Sequence, residues 1–366
     1  MIFLMDLPSP VHGMSNVNKA INDFSSDNGL KHTTINTVPS YAVKYYPGSF
    51  WTIVKLIHTI YCLIKLVVSF LSDESKSLYR PINGGSGQVF DLIYFCIARI
   101  FTKKIYIHHH SFAYLNKYSR LFNALNKLSG KHSIHIVLGE KMKELLVDLY
   151  NIDAKRIVVL SNLAFFETHD IDINKPKSNL TLGHLANLCK EKGVDVFIGV
   201  CQKLHDLNVP FNAKIAGPFV DEETQKFVSE ALKLIPELEY LGPLYGDDKE
   251  SFYRELDCFI FPSKYVNEAE PLVLYEAAVY GTYLIGSRRG CMESVIKNLY
   301  GFSVPESEQM EVRIADKICE EINLGGFDIK SSEMRKTALH QESQRFKARL
   351  TTLIDDMKRH EKLPES

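Results

Sequence analysis

DCFIFPSKYVNEAEPLVLYEAAVYGTYLIGSRRGCMESVI, residues 257–296, is the stretch that decides the fold. Apolar runs at Cys258–Phe261 and Tyr283–Ile285 predict two buried strands. Pro271 suits the first turn of a helix between them, because proline needs no N–H there. Gly281 suits the residue just past the end of that helix. A strand, a loop, a helix and a second strand form a βα unit, which is typical of a parallel sheet.

Two glutamates of this unit, Glu268 and Glu276, stand eight residues apart, one on the loop and one within the helix. A carboxylate accepts two hydrogen bonds from a vicinal diol such as that of ribose. Free N–H groups at a helix start bind phosphate. The unit could therefore hold both the ribose and the phosphates of a nucleotide sugar. The alternative is that both glutamates are solvated surface residues, as most glutamates are.

Similar units are expected along both halves of the chain. Further strands are predicted at Ile2–Met5, Ile105–Ile107, Ile134–Leu138, Ile157–Leu160, Leu180–Leu185, Ala213–Ala216 and Glu239–Leu241. Helices are predicted at Ser15–Phe24 with Ser15 as N-cap, Val89–Ile100, Val194–Leu204, Ser251–Leu256 and Ser332–Lys362. The polar stretch Glu167–Asn179 has no periodicity and is interpreted as a linker. We therefore expect two doubly wound α/β domains, with a ligand site in the cleft between them, at the carboxyl ends of the strands.

The composition excludes several classes of protein. Lys and Arg number 43 against 44 Asp and Glu, whereas a general nucleic-acid binder normally shows a basic excess, so we expect no nucleic-acid partner. The seven scattered cysteines contain no C-x-x-C pair, which argues against a disulfide framework or a zinc site and fits a reducing cytoplasm. The N-terminal MIFLMDLPSP has no basic region and does not look like a signal peptide.

The longest apolar stretch, residues 50–71, reads FWTIVKLIHTIYCLIKLVVSFL. Lys55, His58 and Lys65 argue against a membrane-spanning helix, because a lysine at the bilayer centre costs roughly 2.5–3.5 kcal/mol. Two alternatives remain open. One is a long helix packed on a sheet, which is the commoner case. The other is an amphipathic helix that lies on an anionic membrane surface.

Three adjacent histidines, His108, His109 and His110, follow the strand predicted at Ile105–Ile107. Neighbours on an extended segment point to opposite faces, so the three cannot easily bind one ion, and a metal site is disfavoured. A strand-end imidazole could instead hydrogen-bond a sugar hydroxyl or help position an acceptor. The alternative is a capping histidine bonded to the backbone. The glycine cluster at residues 84–87 lacks the Lys-Ser/Thr of a P-loop and is interpreted as a flexible loop.

The stretch EAEPLVLYEAAVYG, from Glu268 to Gly281, resembles the donor-site signature of family 4 of the retaining glycosyltransferases, also called glycosyl transferases group 1. The signature is a strand ending in Pro-Ser, a Glu, seven residues, Glu-Ala, a small residue, Gly and an apolar strand. The resemblance implies that Glu268 contacts the donor sugar and Glu276 the ribose hydroxyls. It also assigns Pro271, Leu272 and Val273 to the donor site.

Four other segments match the family in the same order. Residues 183–195, GHLANLCKEKGVD, resemble its phosphate-binding strand and turn, and there Lys192 would contact the donor phosphates. Asn187 stands where many members have an arginine, a loss for which Lys190, Arg288 or Arg289 could compensate. The other three segments are PSPVHGMS at 8–15, whose Gly13 would approach the donor phosphates, KIAGP at 214–218, and GCMESVI at 290–296 with Gly301-Phe302.

The resemblance implies the GT-B fold, in which two Rossmann-like domains face each other across a cleft. Residues 1–165 would bind the acceptor and residues 166–334 the nucleotide-sugar donor. A C-terminal helix of about 335–366 would pack back on the first domain. The family places a catalytic histidine at the end of an N-terminal strand, facing the transferred sugar. His110 fits this position best, with His109 as runner-up.

The resemblance further implies retaining transfer of a hexose-type sugar to a hydroxyl group, without a cofactor or divalent metal. Lys192 and helix amides would stabilise the charge on the leaving diphosphate. The acceptor would be a saccharide or lipid-linked saccharide of bacterial surface polysaccharide synthesis. The enzyme would then be cytoplasmic, with peripheral contact to the inner face of the membrane. The alternatives are a GT-B sugar-nucleotide epimerase and a catalytically silent nucleotide-sugar-binding subunit, which the departure at Asn187 keeps open.

Overall fold

The computed structural model describes residues 1–10, 13–45, 49–72, 77–102, 104–168 and 179–362. The chain forms two compact units. Unit 1 comprises Met1–Phe165 with Arg345–Ser366, and unit 2 comprises Phe166–Gln344. Most of the linker expected at Glu167–Asn179 lies outside the described residues. Each unit is built on one six-stranded sheet, and the strand pairs are parallel, so the predicted α/β class with two doubly wound sheets is confirmed.

Unit 1 has the strand order β2-β1-β3-β4-β5-β6. Its strands are β1 Ile2–Met5, β2 Thr33–Asn36, β3 Ser77–Ile82, β4 Lys104–His109, β5 Ile134–Val137 and β6 Ile157–Val159. Its helices are α1 Gly13–Asp27, α2 Ser49–Ser72, α3 Gln88–Phe101, α4 Arg120–Ser129 and α5 Glu140–Tyr150.

Unit 2 has the strand order β12-β11-β10-β7-β8-β9. Its strands are β7 Leu180–Leu185, β8 Phe211–Ala216, β9 Leu238–Tyr240, β10 Cys258–Phe261, β11 Tyr283–Ser287 and β12 Phe302–Val304. Its helices are α6 Val194–Asp206, α7 Glu222–Leu234, α8 Gly246–Arg254, α9 Leu272–Ala278, α10 Met292–Asn298 and α11 Met310–Leu324. A last helix, α12, runs from Ile329 to Lys362 and passes from unit 2 into unit 1 at residue 345.

Most strands were predicted from sequence, including β7 and β8, whose sequences are mixed, whereas β2, β3 and β12 were not predicted. β3 is a central strand that contains Arg80 and Pro81, which interrupt the apolar pattern. Arg80 is buried there because Asp91 of α3 binds its guanidinium at 2.7 Å. Pro81 lies beyond the short pairing of β3 with β1, so its missing N–H costs no bond on that side. β2 was missed because its sequence, TTIN, is polar, as an edge strand tolerates.

Three helix boundaries differ from the sequence expectation. Ser15 was expected as an N-cap, but α1 begins at Gly13 and the Ser15 hydroxyl, inside the first turn, donates to the Pro10 carbonyl at 3.1 Å. Pro271 was expected within the first turn, but it is the N-cap residue in an extended conformation, and α9 begins at Leu272. The helix expected at Ser251–Leu256 is α8, which begins earlier, at Gly246, and ends at Arg254.

The C-terminal part of α12 packs on unit 1. The Tyr106 hydroxyl of β4 donates to Asp356 at 3.0 Å, and the Arg349 guanidinium donates to the Val159 carbonyl at 3.3 Å. The N-terminal ammonium of Met1 pairs with Glu361 at 3.0 Å. These contacts tie α12 to β1, β4 and β6.

The long helix α2 packs one face against β2 and α3. The Nε2 of His58 on that face lies 3.0 Å from the Asn36 carbonyl, which makes Nε2 the donor. Cys62 and Leu66 on the same face are fully buried. The sequence alternative of a helix packed on a sheet therefore describes one face of α2 correctly.

Candidate active site

The candidate site of unit 2 lies at the switch point of its sheet, where the chain leaves β7 in one direction and later returns on the other side as β10. β7 and β10 are hydrogen-bonded neighbours. In open parallel sheets, ligands bind beyond the carboxyl ends of the strands at such a point. The segments that follow these two strands, residues 186–192 and 262–270, are also the ones that carry the donor signature.

Lys192 and Glu268 meet at this switch point. The Lys192 ammonium donates to Glu268 Oε2 at 2.6 Å, and the Ser263 hydroxyl donates to the same oxygen at 3.0 Å. The ammonium also lies 4.6 Å from the centre of the Tyr265 ring. Glu268 is only 9% exposed. The two residues predicted to hold the donor phosphates and sugar are thus brought together, with a cation and an anion in direct contact.

Gly193 explains how Lys192 reaches this position. The 3₁₀ turn Lys190–Lys192 ends at Gly193, whose φ is +85°. A Cβ on Gly193 would lie 2.4 Å from the Pro262 carbonyl oxygen, so the turn approaches the end of β10 as closely as only glycine allows. The Lys-Gly pair of the motif is therefore a structural requirement for placing the ammonium beside Glu268.

A second ion pair, which the sequence analysis missed, joins the same two loops. The Lys264 ammonium donates to Asp195 at 2.6 Å, and the Lys264 N–H donates to the Glu191 carbonyl at 2.7 Å. Asp195 is the aspartate of the Lys-Gly-hydrophobic-Asp motif. Asp195 was the one residue of this pair that the motif contained, and it could have indicated the ion pair, because a carboxylate in the first turn of α6 can bind a basic side chain.

The loop after β11 is in close contact with the backbone of Glu268 and Ala269. Gly290 has a φ of +55°, and a Cβ there would lie 2.2 Å from the Glu268 carbonyl oxygen. The Cys291 N–H donates to the Ala269 carbonyl at 2.8 Å. Arg288 is exposed and its Nε lies 3.2 Å from Glu293, while Arg289 pairs with Glu306. Both arginines directly follow β11, the strand next to β10. They are thus near the end of the sheet where the donor phosphates are predicted to bind.

Asn187 lies on the loop after β7 and is exposed. The backbone of its neighbour Ala186 closely approaches Gly217, since a Cβ on Gly217 would lie 1.8 Å from the Ala186 carbonyl oxygen. The Leu188 N–H donates to the Pro218 carbonyl at 2.8 Å. The segments GHLAN and KIAGP are thus adjacent at the carboxyl ends of β7 and β8. Asn187 has an amide at the position where many family members have the charged side chain of arginine.

Glu276 is the fifth residue of α9, and two residues of α8 hold its carboxylate. The Lys249 ammonium donates to Oε1 at 2.7 Å, and the Tyr253 hydroxyl donates to Oε2 at 2.8 Å. Burial raises the pKa of Tyr253 well above its ordinary value, so the phenol stays protonated and remains a donor. Each carboxylate oxygen retains a further lone pair, which is the capacity needed for a ribose diol. The sequence analysis missed Lys249 and Tyr253.

The mouth of α9 contains the remaining predicted donor residues. Pro271, Leu272 and Val273 are half-buried. Next to them Glu270 is buried, and the Tyr275 hydroxyl donates to its carboxylate at 2.7 Å. A third carboxylate therefore stands beside Glu268 at the start of α9, which the signature Glu-x₇-Glu does not include.

In unit 1 the three histidines have different environments. His108 is buried, and its Nδ1 lies 2.6 Å from the Tyr79 hydroxyl. His109 is also buried, with Nδ1 2.8 Å from the Tyr114 hydroxyl and Nε2 3.0 Å from Nδ1 of His135. His110 comes directly after β4, is half-buried and packs against His108, with ring centres 4.1 Å apart and ring planes tilted by 48°. This placement argues against His109, the runner-up, and favours His110, because both nitrogens of His109 are engaged in the core.

Burial and neighbouring histidines lower the pKa values of His108 and His109 well below the ordinary value, so both are neutral at physiological pH. Burial likewise lowers the pKa of His135 to about 3. Within the described part of the chain, no three His, Cys, Asp or Glu side chains are grouped as a metal ion would need.

A buried charge network that the sequence analysis missed lies at the switch point of unit 1, between β1 and β3. The Arg80 guanidinium donates to Asp91, to the Leu4 carbonyl at 3.2 Å and to the Thr37 hydroxyl at 3.1 Å. Asp91 also accepts from the Asn83 N–H at 2.8 Å. The network ties together the loops after β1, β2 and β3. Gly13, the exposed first residue of α1, follows the first of these loops.

Comparisons with known proteins match both the sequence of unit 2 and the fold of the chain. Residues 165–338 match the family model described as glycosyl transferases group 1. A comparison with curated proteins gives no match. Among solved structures, a glycosyltransferase from Rickettsia africae ESF-5 is 15% identical, with a TM-score of 0.72 and 99% of both chains covered.

Two further solved structures share the fold. The lipopolysaccharide outer core galactosyltransferase WaaB is 15% identical, with a TM-score of 0.70 and 99% of both chains covered. Anabaena HepE, solved in complex with UDP-glucose, is 18% identical, with a TM-score of 0.65, and 97% of this chain and 98% of that chain are covered. At these identities the likeness concerns the fold.

Proposed function

Because residues 165–338 belong to the group 1 family of glycosyl transferases and the chain has the GT-B fold, we propose that the protein is a retaining, metal-independent glycosyltransferase. It moves a hexose-type sugar from a nucleotide-sugar donor to a hydroxyl of a saccharide or lipid-linked saccharide. The observation that carries the proposal is the contact of Lys192 with Glu268 at the switch point of unit 2.

Each predicted donor residue has a role in this reaction. Lys192 turns from Glu268 to the donor diphosphate and stabilises the charge that develops there. Glu268 then accepts hydrogen bonds from the sugar hydroxyls, and Glu276 accepts them from the ribose diol. Arg288 supplies a second cation in place of the arginine that is Asn187 here. The amides of Leu272 and Val273 face the phosphates at the start of α9.

The chemical step exchanges one bond at the anomeric carbon for another on the same face of the sugar. The bond to the diphosphate oxygen breaks, and its electron pair leaves with the diphosphate. The acceptor oxygen forms the new bond and passes its proton to the departing phosphate oxygen. No protein nucleophile is required, and His110 positions the sugar or acceptor by hydrogen bonding.

The known structures indicate which substrates to try first. HepE was solved with UDP and with UDP-glucose, and WaaB is described as a lipopolysaccharide outer core galactosyltransferase. These descriptions support uridine diphosphate sugars as the first donors to try and synthesis of a bacterial surface polysaccharide as the proposed role.

Metal independence needs a direct test. Asp170 and Asp172 have the Asp-x-Asp spacing of a motif that holds a divalent cation against a diphosphate, and they lie outside the described residues. We expect turnover to be unchanged by EDTA. Loss of turnover in EDTA and its recovery with Mg²⁺ or Mn²⁺ would contradict metal independence while leaving the transferase assignment in place.

Donor binding is tested with a panel of nucleotide sugars, beginning with UDP-glucose. A ligand at 100 times its dissociation constant raises the free energy of unfolding by about 2.7 kcal/mol, which a thermal melt detects. We expect Lys192→Ala to abolish this stabilisation and to reduce transfer about 100- to 1,000-fold, because it removes a charge at the leaving group. Glu276→Ala should also reduce transfer sharply.

Lys317→Ala is the matched control, since Lys317 forms a comparable ion pair with Glu321 at 2.8 Å on α11. It should leave donor binding unchanged. Near-normal turnover of both Lys192→Ala and Glu276→Ala would refute the site. NMR of the product decides whether the anomeric configuration is retained.

The two alternatives give different products. An epimerase would convert the nucleotide sugar without an acceptor, so incubation with donor alone would yield an epimer or a free sugar beyond slow hydrolysis. A silent subunit would bind the donor in calorimetry without turnover on any acceptor. We propose the transferase over both because Lys192, Glu268 and Glu276 all keep the family's residue types at the switch point.

A further inference from the structure

The outward face of α2 is an apolar stripe along almost the whole helix. Positions 53, 57, 60, 64, 68 and 71 are all Ile, Val or Leu, and each is more than half exposed. We call Ile53, Ile57, Ile60, Ile64, Val68 and Leu71 the α2 stripe. Over the 24 residues of α2 the helix is about 36 Å long. Scattered exposed apolar residues are ordinary, but a continuous row of this length marks an interaction surface.

The amphipathicity of α2 differs from that of a helix on a water-soluble protein, which has a polar outer face. Its packed face mixes buried polar residues with buried apolar ones, whereas the α2 stripe faces outward: the residues packed inward are His58, Thr59, Ser69, Trp51, Cys62, Leu66 and Phe70. A helix that is apolar on its outer side as well as on its inner side fits an apolar surrounding on the outer side.

The contacts of the packed face also indicate whether α2 would span a membrane or lie on its surface. Among the described residues, α2 is the one helix long and apolar enough to cross a bilayer. However, the His58 ring is bonded to the backbone of Asn36 at 3.0 Å, and the Cys62 thiol lies 3.4 Å from the same carbonyl. These contacts fasten the middle of α2 to the edge strand of the unit 1 sheet, and near its C-terminal end Phe70 stacks on Phe101 of α3 with ring centres 5.3 Å apart. The geometry is therefore that of a helix lying on a membrane.

Aromatic and basic residues stand at the N-terminal end of the stripe. Tyr41, Tyr45 and Phe50 are exposed there, and Lys44 lies 5.1 Å from the centre of the Tyr45 ring. Tyr61, which is also exposed, lies midway along α2. Tyrosines, together with other aromatic residues and lysines, are typical of protein surfaces at the headgroup level of a membrane. The α3 helix, which packs against α2, adds exposed Val89, Ile93 and Ile100.

The charge of this surface is complementary to anionic lipid. The sequence of α2 contains Lys55 and Lys65 and no acidic residue. Lys65 lies one helical turn after Tyr61, at the flank of the stripe. The acid of α3, Asp91, is buried against Arg80. A protein partner is a poorer fit, because protein interfaces carry about one hydrogen bond per 100–200 Å², and the α2 stripe offers no polar side chain.

We propose that the α2 stripe, with the exposed apolar residues of α3, is a docking surface for a membrane that contains anionic phospholipid. The helix lies flat, its aliphatic side chains at the boundary of headgroups and acyl chains, and Lys44 and Lys65 face the anionic headgroups. This surface would hold the protein at a membrane whether or not the proposed transfer reaction is correct.

The test is co-sedimentation of the full chain with vesicles of phosphatidylglycerol and phosphatidylcholine. We expect Ile57→Glu/Ile64→Glu to weaken binding at least about tenfold, because two exposed apolar side chains become anionic. Lys44→Gln/Lys65→Gln should weaken binding about fivefold for each lysine, and raised salt should have the same effect. Vesicles of phosphatidylcholine alone should bind the protein less.

Val220→Glu/Leu234→Glu is the matched control, because both residues are exposed on unit 2 and the charge change is the same. It should bind vesicles like the wild type. Thermal melts establish that each variant is folded, which the exposure of the substituted residues favours. Equal vesicle binding by Ile57→Glu/Ile64→Glu and the wild type would overturn the proposal. A dimer in sedimentation velocity without vesicle binding would also overturn it, in favour of a second copy of the chain as the occupant.

Discussion

At the scale of single residues, Glu276 is a carboxylate that is oriented before a ligand arrives. Lys249 and Tyr253 of α8 each bind one of its oxygens, at 2.7 and 2.8 Å. The Tyr253 phenol is buried and fixed, whereas the Lys249 side chain is partly exposed. Tyr253 therefore determines which way the carboxylate faces, and we expect it to act as a positioning residue for the ribose.

Tyr253→Phe removes this hydrogen bond and leaves the ring in place. We expect UDP to bind about fivefold more weakly, because a hydrogen bond of this kind contributes about 1 kcal/mol. Calorimetry with UDP and 2′-deoxy-UDP measures the effect, which should be smaller for the deoxy compound because one ribose hydroxyl is missing.

The control is Tyr283→Phe, which removes a hydrogen bond to Glu321 at 3.2 Å on another part of unit 2. It should leave UDP binding unchanged. If Tyr253→Phe weakened UDP and 2′-deoxy-UDP equally, the substitution would act through the fold and the positioning role would be wrong.

Single residues also show what the sequence could predict. Lys192, Glu268 and Glu276 were predicted because a motif of fixed spacing surrounds them. Tyr253 and Lys264 were not, because a side chain that supports a motif from another element has no fixed spacing from it. Whether a residue such as His109 faces a ligand or the core depends on Tyr114 and His135, which only the fold brings to it.

At the scale of elements, the site of unit 2 depends on the contact between the turn Lys190–Lys192 and the end of β10. Gly193 permits this contact through its positive φ and its lack of a Cβ. The Lys264 N–H then bonds to the Glu191 carbonyl at 2.7 Å, which joins the two segments directly. Any side chain at residue 193 must push the turn away from Pro262 and carry Lys192 with it.

Gly193→Ala should therefore destabilise unit 2 and weaken donor binding together. A positive φ costs an alanine about 1 kcal/mol, and the clash with the Pro262 carbonyl adds about 1–3 kcal/mol. Gly242→Ala is the matched variant, because Gly242 has a φ of +76° and no atom within 4 Å of its Cβ position. It should show the first cost alone. Denaturant unfolding and UDP-glucose calorimetry make the comparison; equal losses in the two variants would contradict the close approach.

Elements were predicted from sequence in proportion to how uniform their pattern is. β1 and β10 are continuous apolar runs and were predicted with the observed bounds, as was β7, although Thr181 and His184 interrupt its apolar run. β3 was missed because Arg80 is compensated by Asp91, which lies 11 residues away on another element. The α2 segment was predicted as a helix, but which of its apolar sides is packed and which is exposed was not, since apolar periodicity does not indicate which side packs.

At the scale of the whole molecule, both units contain histidines that folding keeps neutral. Burial lowers the pKa of His135 to about 3 in unit 1 and that of His184 to about 4 in unit 2. His108 and His109 of unit 1 are also shifted well below the ordinary value. Unit 1 thus holds three fully buried histidines of this kind in the neighbourhood of β4 and β5, besides the half-buried His32, whose pKa burial also lowers, and the described part of the unit 2 core holds His184.

The direction of the pH effect follows from where protons bind. Above about pH 6.5 these histidines are neutral in both the folded and the unfolded chain. Below that pH the unfolded chain takes up protons that the folded chain excludes, so the free energy of unfolding falls as the pH falls. Each histidine contributes about 1.4 kcal/mol per pH unit, down to its folded pKa. Unit 1 should therefore lose stability about three times as steeply as unit 2 between pH 6.5 and 5.

Trp51, the single tryptophan of the chain, makes this measurable because it is packed in unit 1. Its fluorescence follows the denaturant unfolding of unit 1, while circular dichroism follows both units. We expect the tryptophan transition to move to lower denaturant first as the pH is lowered. His135→Gln should flatten this slope by about a third, whereas His340→Gln, at an exposed position, should leave it unchanged.

If the pH slopes of the two units were equal, or if His135→Gln left the slope of unit 1 intact, the buried histidines would not be the cause of the acid sensitivity. In that case these histidines would take up protons within the folded core of unit 1.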